Sequence, residues 1–258
     1  DWAVENAEVV TYRDGTPIPQ VTDANEWENL TTGAWSYYNN DPTKPRLYNW
    51  YAVAGIHDND PNIANKEFAP EGWHVPSDAE WTTLEEYLIA NGYNYDGTTT
   101  GNKIAKSMAS ITEWNSSTNT GVIGNDQSLN NDSGFNAFPE GNRNNNGSFN
   151  NEGNNAIFWS STENNTNNAW NRNLNNNNSN LNRNNNNKQN GFSVRFVRDL
   201  NRKPLFKIRG FFSKWKTQNY LNNFTRHTYS ALRESVKNHR LLSLKKILSK
   251  IYYFFAMN

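Results

Sequence analysis

Between residues 142 and 190, 25 of 49 positions are asparagine. A packed core has no use for so many amides, because each one buried must find partners for two donors and a carbonyl oxygen. The same stretch and its flank nevertheless keep Gly147, Phe149, Phe158, Trp159, Trp170, Leu174, Leu181 and Phe192 between the polar runs. Two readings follow. One is a low-complexity polar tract of the prion-like kind. The other is a scaffold with asparagine at its exposed positions, and the retained hydrophobes favour it, since a disordered tract has no reason to keep them.

The rest of the composition is compatible with a folded chain. The apolar share is only 35%, but 10 Trp, 12 Tyr and 13 Phe supply much buried area per residue. The formal net charge of zero conceals a division: residues 1–200 carry 12 Lys and Arg against 24 Asp and Glu, whereas residues 201–258 carry 13 Lys and Arg against Glu234 alone. Such asymmetry marks two segments with different roles or origins. The absence of cysteine removes disulfides, thiol nucleophiles and cysteine-ligated metals. No run of 18 apolar residues is present.

Along the chain, the first 76 residues alternate short apolar or aromatic runs with turn chemistry such as Asp14-Gly15, Asp41-Pro42, Asp60-Pro61 and Pro70-Glu71-Gly72, which predicts loops and short strands. Ser77-Asp78-Ala79-Glu80 is a capping box, followed by Trp81, Leu84, Tyr87 and Leu88 at helical spacing and by Asn91-Gly92 as a stop; the pattern predicts a helix over 78–90. A second helix is expected over 102–109, with Ile104 and Met108 one turn apart. Buried strands are expected at 134–139, 156–161 and 191–197, where aromatic and β-branched residues cluster.

Six ordered stretches carry a family resemblance: Trp2-Ala-Val-Glu-Asn6, Tyr12-Arg-Asp-Gly-Thr-Pro-Ile-Pro19, Leu47-Tyr-Asn-Trp-Tyr-Ala-Val53, Pro70-Glu-Gly-Trp-His-Val-Pro-Ser-Asp-Ala-Glu-Trp-Thr-Thr-Leu84, Phe158-Trp-Ser-Ser-Thr-Glu163 and Gly191-Phe-Ser-Val-Arg-Phe-Val-Arg-Asp199. Together they resemble the Fibrobacter succinogenes major paralogous domain over residues 1–200. The resemblance implies an α+β, C-type-lectin-like fold of short strands, one or two helices and long loops, related to the formylglycine-generating enzymes. It also implies a secreted, cell-surface or phage-particle location of the kind found in Bacteroidetes and their phages. The enzyme relatives work through cysteines, which this chain lacks, so the resemblance brings a binding habit and argues against that catalysis.

A narrower resemblance concerns residues 142–190. Asparagine stands where family members show Tyr or varied residues, which is similar to the template form of a diversity-generating retroelement target. On that reading the ligand-contacting positions are Asn144, Asn146, Asn154, Asn155, Asn171, Asn173, Asn175, Asn176, Asn182, Asn184, Asn186 and Asn190, and the ligand is a cell-surface protein or glycan. A rigid framework carrying exposed variable positions tolerates such substitution.

Other constellations are weaker. His57-Asp58-Asn59-Asp60 is oxygen-rich enough for a calcium site but lacks the spacing of a helix-loop-helix calcium loop, and a solvated loop fits it better. His74 is expected to be structural, near the start of the 78–90 helix. Glu85 and Glu86 can be read as an acid/base pair or as a solvated helix face, and the second is favoured. No cofactor is implied. The basic segment 201–258 interleaves Lys and Arg with Phe211, Phe212, Trp215, Tyr220, Phe224 and Tyr229, which suits nucleic acid or an anionic membrane. Helix over 228–256, disorder, and readthrough with no role of its own all remain open for it.

Overall fold

A computed structural model describes residues 1–199; the tail expectations for 201–258 lie outside the described residues. The fold is mixed helix and sheet with few helices. In chain order the elements are β1 (Trp2–Asn6), α1 (Ala24–Glu28), β2 (Trp35–Tyr37), β3 (Arg46–Tyr48), α2 (Trp50–Val53), β4 (Trp73–His74), α3 (Asp78–Ala90), α4 (Ala105–Met108), β5 (Glu140–Arg143), β6 (Phe149–Glu152), β7 (Asn155–Glu163), β8 (Asn168–Asn175), β9 (Asn182–Asn187) and β10 (Arg195–Arg198). None of the described helices is long and apolar enough to cross a membrane.

Helix α3 forms where its capping box dictates. The Ser77 hydroxyl accepts from the Glu80 N–H at 3.3 Å, and the Glu80 carboxylate accepts from the Ser77 N–H at 2.8 Å. Gly92, at φ 81, then turns the chain away. Trp81 and Leu88 are buried and Leu84 packs against the same cluster, but Tyr87 is exposed. It falls off the inward stripe because a six-residue step from Trp81 lands about a third of a turn out of phase.

The largest sheet has the order β6-β5-β7-β8-β9, antiparallel except where β5 meets β7 at Gly141 and Ala156. Strand β7 lies at its centre and is buried on both faces. Ala156 and Phe158 join a core with Trp81, Leu88, Ile104, Met108 and Leu174. Ile157 and Trp159 join another with Tyr48, Trp50, Phe68, Ala169 and Phe192. Two covered faces explain why its sequence is an unbroken apolar run instead of an alternating one. A three-stranded sheet, β1-β10-β4, and the β2-β3 pair complete the pairing.

Several expectations are corrected. The second helix is only Ala105–Met108, because Asn102 is used elsewhere: its side chain bonds both the N–H and the carbonyl of Leu181. Residues 134–139 form no strand; Ala137 makes a single bridge to Ala109, since Gly134 and Asn136 both take positive φ. Trp73, the first residue of β4, is half-buried, with the Arg198 guanidinium 4.9 Å from its ring centre. Glu85 is not on a solvated face, because it pairs with the fully buried Arg172 of β8. His74 does sit near the helix start, its ring nitrogens 2.8 Å from Glu80 and 2.6 Å from Asp199.

Candidate ligand-binding face

Strand alternation sorts the asparagines of the large sheet. Side chains directly opposite one another in a ladder share a face, and successive residues alternate. Asn171 lies opposite Trp159 and Asn184, Asn173 opposite Ile157 and Asn182, Asn175 opposite Asn155, and Asn186 opposite Ala169. Seven of the expected positions, Asn155, Asn171, Asn173, Asn175, Asn182, Asn184 and Asn186, therefore share one face across three strands. The intervening residues Trp170, Arg172 and Leu174 point the other way, towards α3.

The amides of this face bond one another. Asn155 Nδ2 donates to Asn173 Oδ1 at 2.8 Å, Asn175 Nδ2 to Asn155 Oδ1 at 3.4 Å, and Asn171 Nδ2 to Asn186 Oδ1 at 2.8 Å. None of the seven positions is titratable, so what they offer a ligand is neutral hydrogen bonding, with donors and acceptors in equal supply and no proton to transfer.

Exposure along the face is graded, which corrects the expectation of uniform exposure. Asn184 is exposed, and Asn173, Asn175, Asn182 and Asn186 are half-buried. Asn171 is fully buried, because it faces Trp159 where the apolar cluster around Tyr48 and Phe192 covers the sheet; its Oδ1 finds no partner among the described residues. Asn155 is buried between the Asn173 and Asn175 amides on the central strand.

The remaining five expected positions lie off this face. Asn144 and Asn146 form the β5–β6 hairpin tip, where Asn146 Oδ1 accepts from the Ser148 N–H and hydroxyl at 3.1 and 2.7 Å. Asn154 and Asn176 sit in the turns flanking β7 and β8, and both bond Asn115: its Nδ2 donates to Asn154 Oδ1 at 3.0 Å and its carbonyl accepts from Asn176 Nδ2 at 3.2 Å. Asn190 is buried, since the chain turns inward there so that Gly191 can exchange backbone bonds with Arg143 at 2.7 and 3.0 Å. A side chain at Gly191 would press on the Trp27 ring and the Arg143 and Leu47 side chains.

Sequence reasoning missed two groups. Loop residues Ser117 and Asn119, which bond Asn177 Oδ1 at 3.1 and 2.8 Å, extend the amide cluster around Asn115; nothing local in sequence places them there. The framework rests on three fully buried arginines, Arg143, Arg172 and Arg195. Arg143 lies over the Trp27 and Phe149 rings at 4.2 and 4.9 Å and donates to the carbonyls of Val21, Thr22, Asp23 and Gly147, which fixes the hairpin bearing Asn144 and Asn146. Arg195 lies over Phe135 and donates to the carbonyls of Ala3 and Phe135. Burial pulls the pKa of both Arg143 and Arg195 down to about 10, so each stays charged at neutral pH. Among the described residues no group of three or more His, Asp or Glu could hold a metal ion; in the 57–60 loop, Asp58 and Asp60 instead accept backbone N–H groups two residues on.

The site and scaffold together define a mixed helix-and-sheet domain that presents an uncharged amide face. The chain belongs to the family described as the Fibrobacter succinogenes major domain, whose sequence pattern matches residues 1–198. No curated protein and no solved structure matches the chain.

Proposed function

We infer that the chain is a non-catalytic ligand-binding protein of C-type-lectin-like fold, a diversity-generating retroelement target whose asparagine face recognises a cell-surface protein or glycan. One observation carries this reading. Across β7, β8 and β9 seven asparagines share one face, with Asn168, Asn185 and Asn187 on the other, which Arg172 and Leu174 hold to α3. Variation confined to one face of a framework held from the other can change what is bound without unfolding the domain. The formylglycine-generating type of enzyme is disfavoured because that chemistry uses cysteine, and the chain has none.

The location that goes with this reading is extracellular, on a cell surface or a phage particle. Contact of residues 201–258 with nucleic acid or anionic membrane is a separate proposal, resting on their 13 Lys and Arg; binding that weakens steeply with salt supports it. The other reading of the whole is a structural or adhesive surface protein with no single ligand.

A glycan and cell-surface binding screen of the protein and of an Asn173→Ala, Asn175→Ala, Asn184→Ala variant tests the assignment. Specific binding lost in a variant that melts normally supports it; binding unchanged in the variant, or no binding to any surface, overturns it. A neighbouring reverse-transcriptase gene with a near-copy of residues 140–199 differing only at adenine positions would support the retroelement origin.

A further inference from the structure

Strand β9 closes the five-stranded sheet on one side. The ladder settles which of its peptide groups point outward. The Lys188 N–H donates to the Asn167 carbonyl at 2.9 Å, so this pair and every second pair along from it (Asn186 with Ala169, Asn184 with Asn171, Asn182 with Asn173) turn their peptide groups towards β8. The N–H and carbonyl of Arg183 and Asn185, and the Asn187 N–H, therefore face away from the sheet. No described residue bonds to them.

Sheet edges are ordinarily guarded by proline, by a bulge, by an outward charge or by a covering loop. Strand β9 has six residues, no proline or glycine, and an unbroken register with β8. Its one charge is already committed: the Arg183 guanidinium stacks 3.4 Å from the Trp170 ring centre and pairs with Asp78 at 2.8 Å, on the α3 side of the sheet. The next basic residue, Lys188, is buried and bonded to Glu163 and the Thr166 carbonyl. Among the described residues the usual safeguards against edge-to-edge pairing are thus absent or engaged elsewhere.

We propose that β9 is a self-association edge through which two copies of this chain pair antiparallel. A twofold axis through Asn185 sets Asn185 opposite its own copy, Arg183 opposite Asn187 and Asn184 opposite Asn186, giving roughly four N–H···O bonds from the outward groups. The register that would set Arg183 against itself is disfavoured by like-charge repulsion. A second copy suits this edge better than a foreign strand does. Each asparagine amide along it both donates and accepts and is complementary to itself, so a second copy meets every side chain with its own chemistry.

In antiparallel pairing, opposed residues lie on the same side of the sheet. The dimer therefore joins two five-stranded sheets into one and sets both asparagine faces side by side, a bivalent surface whose avidity can offset weak contacts at each face. One pair of short strands buries less than the ~1,000 Å² of a stable interface, so the dimer is weak and concentration-dependent.

Sedimentation velocity of the full chain, from low micromolar to a few hundred micromolar, tests this with two variants. Asn185→Pro removes an outward N–H and spares the β8 ladder; Asn185→Lys sets two ammonium groups together at the axis. Wild-type protein should form a dimer whose dissociation constant rises about tenfold or more in both variants, with melting temperatures unchanged, and high salt should restore the lysine variant in part. Amide exchange at Arg183 and Asn185 should slow as concentration rises. A wild-type monomer throughout, or a dimer that survives both substitutions, overturns the proposal. So does protection of these amides at every concentration, which would mean that another part of the same chain covers the edge. The proposal stands apart from the ligand assignment: a monomer that binds ligand defeats only the dimer, and a dimer that binds nothing defeats only the assignment.

Discussion

The guanidinium of Arg172, fully buried in β8, lies 2.6 Å from the carboxylate of Asp78 in the first turn of α3. The same carboxylate accepts from Arg183 of β9 at 2.8 Å, and Glu85 pairs with Arg172 from about two turns further along the helix. Burial raises the Asp78 pKa, but hydrogen bonds from Arg183 and Arg172 more than reverse this, and the net shift is downward. Two neighbouring strands are thereby fastened to one helix on the side away from the asparagine face.

Removing one partner of that cluster should cost far more than a surface ion pair does. Arg172→Ala leaves Glu85 without its partner and Asp78 with Arg183 alone, opens a void where the buried side chain was, and is expected to lose about 3 to 5 kcal/mol. Arg183→Ala, whose side chain is 43% exposed, should lose about 1 kcal/mol or less. Urea denaturation of the two variants checks the contrast, and equal losses would contradict the buried role of Arg172.

The graded face predicts which asparagines tolerate change. Asn184→Tyr, at an exposed position, should shift stability by no more than about 0.5 kcal/mol. Asn171→Tyr forces a ring into the closed space beside Trp159 and should cost about 1 to 3 kcal/mol. Thermal melts of both single variants distinguish this gradient from uniform exposure.

Glu140 should make stability depend on pH. Its carboxylate accepts from the Ser193 hydroxyl at 2.6 Å and from Asn6 Nδ2 at 2.5 Å, yet desolvation by burial dominates and raises its pKa to about 7. The unfolded group titrates at 4.5. Between these values the folded protein keeps a proton that the unfolded chain has lost, so this residue's contribution falls as pH rises from 4.5 to 7 and is level above that. The slope should be on the order of 1 kcal/mol per pH unit or less. Glu140→Gln should remove it, which denaturation at a series of pH values will show.

Aromatic truncations should separate the core from its margin. Trp81→Ala and Trp159→Ala, both fully buried, are expected to cost about 3 to 5 kcal/mol each. Trp73→Ala, at a half-buried position, should cost clearly less, and calorimetry of the three variants would rank them.

Helix α3 was legible because capping and stop signals act within a few residues, and Ser77, Glu80 and Gly92 all do what local chemistry dictates. The central strand was legible from its apolar run. The asparagine positions were recognised, but their sorting was not, since Asn155, Asn171 and Asn190 are buried by residues distant in sequence. The buried arginines were hidden by the expectation that charged residues lie outside. Arg172 had a signal: it sits between Trp170 and Leu174 at period two, among asparagines on the alternate positions, which marks it as inward-facing. Arg143 and Arg195 had none, because their partners are carbonyls of loops far along the chain.

The alternation in β8 and β9 also limits how this region can change over time. Losing or gaining one residue in either strand would exchange the two sides, burying asparagine against α3 and turning Trp170, Arg172 or Leu174 outward. Substitution leaves that order intact. Within β8 and β9, then, length is the quantity held fixed, and new binding properties on these strands arise by replacing residues in place.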